Sequence, residues 1–148
     1  MKTFTKIKVV GVGGSGSNAV SRMKKCKIKG VELIIINTDI QDLRKTKADF
    51  KLRIGRKLTQ GLGTGMNPEI GKRAALENRA EIQEILKDTD MVFIAGGMGG
   101  GTCTGAAPVV AQIAKDLGTL TIAIVTKPFS FVRAHPVKTR CGKLDWLT

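Results

Sequence analysis

The stretch MVFIAGGMGGGTCTGAAPVVAQIAK, residues 91–115, passes from an apolar strand pattern through six glycines within ten residues into an apolar-faced helix. Glycine loses more freedom on ordering than any other residue. A simple strand-to-helix connection needs one or two. A turn that bare presents main-chain N–H groups, beside the free N–H groups of a helix start, at a single point. The helix end carries roughly half a positive charge there, so the natural occupant is an anion, phosphate above all.

The same order of parts recurs along the chain. IKVVGVGG (7–14) reads as a buried strand entering a glycine turn, followed by a helix over about 15–27. VELIIIN (31–37) is a second, continuously apolar strand, as buried parallel strands tend to be. TDIQDLRKTKAD is a short helix at most, and FKLRIG (50–55) a short strand. Asn67-Pro68-Glu69 predicts a helix start, with Asn capping, Pro at the first position and an acid at the positive end. That helix is expected to run to about Lys87, with Ala74, Ala75, Ile82, Ile85 and Leu86 inward. Strand MVFIA, a helix over about 103–117, Gly118 as its left-handed terminator and strand LTIAIVT (120–126) complete the pattern. Alternating strands and helices predict a parallel sheet covered on both faces, with ligands beyond the carboxyl ends of the strands.

Two further glycine turns stand at strand ends: Gly11–Asn18, and a third loop from Gly61 to Asn67 that also opens a helix. Three such loops on one sheet edge would surround a polyphosphate. Gly11, Gly13 and Gly16, with Asp39 after the second strand, also fit the dinucleotide pattern of an NAD-binding Rossmann module. That alternative leaves the 96–105 turn without a purpose. GMNPEIGKR (65–73) lacks P-loop spacing and the hydroxyl after Lys72. The single histidine, His135, offers no nucleophilic triad, so no catalytic residue and no metal ligand is assigned.

The formal charge of +13 attracts polyanions, whether nucleotide, nucleic acid or acidic lipid. The basic residues are dispersed and Tyr is absent, which argues against a stacking platform for nucleic acid. Cys26, Cys103 and Cys141 match neither a disulfide framework nor a zinc pattern, and the apolar runs fall short of the ~18 residues that span a bilayer. The expectation is a soluble, intracellular protein without membrane insertion.

GGMGGGTCTGAAPVVAQIAK resembles the signature loop of the tubulin/FtsZ family, usually GGGTGTG. IKVVGVGGSGSNAV, VELIIINTDIQDL, GRKLTQGLGTGMNPEIGKRAA, DMVFIAGGMGGG and LTIAIVTKPFSF are similar to the family in the same order and spacing, over about 6–131. The resemblance implies an α/β, Rossmann-like three-layer domain with a mostly parallel sheet. It implies GTP or GDP as ligand, Mg2+ held through the phosphates, hydrolysis of GTP, and head-to-tail homopolymers that form a cytoplasmic division ring at midcell with other division proteins. By the same resemblance, Gly14, Ser15, Gly16, Ser17 and Asn18 form the first nucleotide loop, and Asn37, Thr38 and Asp39 lie beside the nucleotide. Gly63, Thr64, Gly65, Met66 and Asn67 match the loop that senses the γ-phosphate, and Gly99, Gly100, Gly101, Thr102, Cys103 and Thr104 the signature loop.

Two departures stand out. Cys103 occupies a signature glycine, where a positive φ would cost roughly 1–3 kcal/mol and a negative φ would make it a small filler. The resemblance also stops after KPFSF: Val132 replaces the family's Glu, Pro136 falls where its nucleotide-contacting Arg would be, and the guanine-contacting Asn and Asp and the acidic loop do not follow. The expected organisation is an incomplete, truncated nucleotide-binding domain over 1–131 and a divergent tail over 132–148, from a truncated or frame-altered product. On that reading the chain binds nucleotide weakly and hydrolyses little alone.

Overall fold

The computed structural model describes residues 4–128. The expectations for Val132, His135, Pro136, Cys141 and the 132–148 tail lie outside them. The elements are β1 (Ile7–Val12), α1 (Gly13–Lys25), β2 (Val31–Asn37), α2 (Ile40–Lys45), β3 (Phe50–Arg53), α3 (Arg56–Thr59), α4 (Pro68–Glu77), α5 (Arg79–Leu86), β4 (Met91–Gly97), α6 (Thr102–Asp116) and β5 (Leu120–Thr126). All strand pairs are parallel, in the order β3-β2-β1-β4-β5.

The continuous apolar runs of β1, β2 and β4 become the buried centre because helices cover both faces. Val10, Val12, Ile34, Ile36, Val92 and Ile94 point to one side, against Ala74, Ala75, Ile82, Leu86 and the apolar face of α6. Val9, Leu33 and Ile35 point to the other, against Val20 of α1 and Leu43 of α2. The inward faces expected for the 68–87 region are borne out, with Ile85 packed at the rim of the core.

That region is nonetheless two helices. Asn78, at φ −106° and ψ 23°, separates α4 from α5. Its buried amide accepts from the Gly55 N–H at 2.8 Å and donates to Glu81 Oε1 at 2.6 Å. A tertiary demand from the turn after β3 thus overrides a locally continuous helical period. The four-residue α3 was not foreseen, and β4 runs two glycines further than expected. Asn67 caps α4 as expected, accepting from the Glu69 N–H at 3.0 Å. Gly118 sits at φ +74° after α6.

β5 is an edge strand among the described residues. Leu120, Ile122 and Ile124 on its α1-side face are 56%, 38% and 62% exposed, so this stripe is bare where the opposite face is covered by α6.

Candidate functional site

Beyond the carboxyl ends of the strands lies a cleft of about 650 Å³. Its walls come from the turn after β1, the β2–α2 junction, the 61–67 loop, the turn after β4 and the segment just after β5. Parallel strands deliver all five to one edge, as such sheets do.

Two helices open into this cleft with bare ends. α1 follows Val12 and α6 follows Gly101; neither has a side-chain cap or an acidic residue in its first turn. α2 and α4 differ: Asp39 and Asn67 cap them, and Asp42 and Glu69 lie in their first turns. Side-chain oxygens cap two of the helix starts and leave the other two open to the cleft. Gly13, at φ +73°, lets the chain turn from β1 directly into α1. Gly101 is held by close approach: a Cβ there would meet Thr64 Oγ1 and lie 2.7 Å from the Asn67 nitrogen. The 61–67 loop therefore rests directly on the turn after β4.

Hydroxyls and amides tie the loops together. Thr102 Oγ1 lies 2.9 Å from Thr38 Oγ1 and 3.5 Å from Thr64 Oγ1. Asn37 Oδ1 accepts from the Thr38 and Asp39 N–H groups at 2.8 and 3.3 Å, while its Nδ2 donates to Asp42 Oδ2 at 2.6 Å. Asp39 Oδ1 accepts from the Gln41 and Asp42 N–H groups at 2.8 and 3.3 Å.

Of the residues named from sequence, Gly14, Ser15, Asn37, Thr38, Asp39 and Gly63 line the cleft. So do Thr64, Gly65, Met66 and Gly100 through Cys103. Gly16 and Ser17 are buried beneath it, with Ser17 Oγ donating to the Gly13 carbonyl at 2.7 Å, and Asn18 lies outside the lining. Asn67 is occupied as a cap. Gly99 and Thr104 brace the turn from behind, the Gly99 N–H donating to Thr104 Oγ1 at 3.0 Å. Outside the glycine turns, sequence reasoning missed Asp42 and the Thr126–Pro128 segment in the lining. Asp42 stands three residues after Asp39 on α2, and Lys127 directly follows β5, so the strand-end rule offered a signal for both.

Cys103 is 4% exposed in the first turn of α6 and does not have positive φ. Its side chain packs where a Cβ on Gly96 would stand. It is a filler of the space that Gly96 leaves, without backbone strain.

A doubly wound parallel sheet whose strand ends gather two uncapped helix starts in one cleft defines an anion-binding α/β domain of the nucleotide-binding class. The 3-2-1-4-5 order is shared with dinucleotide-binding folds, so strand order alone does not choose among them.

Comparison does choose. The profile of the Tubulin/FtsZ family, GTPase domain, matches residues 6–142, and the chain belongs to that family. It is 60% identical over 126 residues to the cell division protein FtsZ of Aquifex aeolicus, covering 85% of this chain and 34% of that protein. A structure of the FtsZ dimer of M. jannaschii, solved empty, superposes with a TM-score of 0.91 at 50% identity, covering 99% of this chain and 43% of that one. GDP-bound CetZ1 from Haloferax volcanii superposes at 0.76 with 26% identity, covering 85% of this chain and 42% of that one. The chain spans less than half the length of these relatives.

Proposed function

We propose that the cleft binds a guanine nucleotide, GTP or GDP, with its phosphates on the first turns of α1 and α6. The observation that carries this reading is the pair of uncapped helix starts facing one space. The GDP bound to CetZ1 and the division role named for the Aquifex relative support the choice of ligand and process.

The chemistry is attack of water on the γ-phosphate. Oriented main-chain amides stabilise the charge that spreads over the phosphate oxygens, without reorganising at the moment of reaction. Mg2+ would neutralise phosphate charge when bound. By the family resemblance it would be held through the phosphates. Among the described residues we assign no catalytic acid. By the family resemblance, acids from a neighbouring subunit complete the site, so the isolated chain is expected to turn nucleotide over slowly.

The wider role follows the relatives: head-to-tail homopolymers in the cytoplasm, at a midcell division site with other division proteins. Among the described residues no helix is long and apolar enough to cross a membrane.

Calorimetric titration of the folded chain with GDP, then with NAD, tests the reading. GDP binding with NAD unable to compete is expected. Displacement of GDP by NAD, or no GDP heat from a chain shown folded by circular dichroism, would overturn it.

A further inference from the structure

The basic residues look dispersed along the sequence, but folding gathers many of them at one place. Residues 22–29, RMKKCKIK, end α1 and lead toward β2; residues 44–51, RKTKADFK, join α2 to β3. The two segments meet. The Lys47 N–H donates to Ser21 Oγ at 3.1 Å, and Lys24 pairs with Asp49. Together they hold nine cations and one carboxylate, and that carboxylate, Asp49, is already engaged by Lys24 and by the Leu33 N–H at 2.9 Å. Arg22, Lys25, Lys27 and Lys29 on the first segment are exposed and make no ion pair among the described residues. The same holds for Arg44, Lys45 and Lys47 on the second. Lys27 takes a left-handed φ of 52°, and beyond it Ile28 stands 45% exposed between two lysines.

We propose that this patch is a docking surface for an anionic lipid bilayer. Cations concentrated on an exposed surface are attracted to the negative surface potential of anionic lipid, within about a Debye length. An apolar side chain set among them adds burial in the headgroup boundary, which a phosphodiester backbone does not offer. A stacking platform for single-stranded nucleic acid is the poorer fit, because Phe50 is the one aromatic in the two segments. The 26–30 loop enters the amino end of β2, whereas the cleft lies at the carboxyl ends, so a docked chain keeps its cleft open. The proposal is independent of which nucleotide the cleft takes.

Flotation of the full chain with phosphatidylcholine vesicles, with and without phosphatidylglycerol, provides the test. Binding that needs phosphatidylglycerol and falls with salt is expected. The variant K25Q/K27Q/K29Q should bind about a hundredfold more weakly, at about fivefold per lysine. The variant K57Q/R73Q/K115Q, with the same net charge but changed elsewhere, should lose far less. Ile28→Ser should weaken binding several-fold while leaving the salt dependence unchanged. Equal losses in the two triple variants, equal binding to both vesicle types, or tighter binding to an oligonucleotide that Ile28→Ser leaves intact would each overturn the proposal. Thermal melts of each variant separate lost binding from lost folding.

Discussion

The hydroxyls of Thr38 and Thr102 lie 2.9 Å apart although 64 residues separate them in the chain. Thr38 is fully buried, and Thr102 also reaches Thr64, so one side chain joins the loops after β2, before α4 and after β4. Replacing Thr102 with Val keeps the shape and leaves the buried Thr38 hydroxyl unsatisfied, at a cost of about 1–3 kcal/mol. Urea unfolding should show that loss for Thr102→Val and little for Thr102→Ser, and GDP affinity should fall in parallel. Equal midpoints for the two variants would show that the contact contributes nothing.

Gly96 and Cys103 occupy one space. A Cβ on Gly96 would collide with Cys103 Sγ and stand 3.1 Å from the Val12 carbonyl oxygen. Gly96→Ala alone should destabilise by about 1–3 kcal/mol, as overpacking does. Cys103→Gly alone should cost about 0.3 kcal/mol from helix propensity, plus lost burial. The double variant should be more stable than the sum of the two, with a coupling above about 0.5 kcal/mol in denaturant melts. Strict additivity would disprove the shared space.

The Asp49 carboxyl is held below its ordinary value, first by the hydrogen bond to Lys24 and then by the Leu33 N–H. A carboxylate lowered in the folded state adds stability above its unfolded value, and that stability is lost as pH falls through the folded value. Urea midpoints of the wild-type chain should therefore drop as pH falls below the ordinary value of 3.8. Asp49→Asn should be less stable near neutrality and lack that component of the acid dependence. Parallel pH curves for the two proteins would refute the linkage.

Among the described residues Leu120, Ile122 and Ile124 form a bare apolar stripe on an edge strand, a feature that favours association. Ile124→Lys should slow the growth of light scattering on warming and leave circular dichroism unchanged. Faster aggregation of that variant would show that the stripe is not the contact.

Strands Val31–Asn37 and Leu120–Thr126 were legible to the residue, because buried apolar runs bounded by turns carry their own limits. The glycine turns were legible as bare backbone at strand ends, and the structure brings them to one cleft. The break at Asn78 was not, since its cause is an N–H on Gly55, a partner 23 residues away. Nor was the departure of Ser17, Asn67 and Thr104 from the cleft wall, since their oxygens serve the Gly13 carbonyl, the α4 start and the Gly99 N–H.

Local order was thus written in the chain itself: which segments extend, which coil, and where the backbone is left bare, because propensity and period act over a few residues. The meeting of Thr38, Thr64 and Thr102, the fit of Cys103 beside Gly96, and the gathering of two lysine-rich segments at Ser21 and Lys47 were decided only by the tertiary structure. Each depends on how parallel crossovers stack distant segments side by side, which no local pattern encodes.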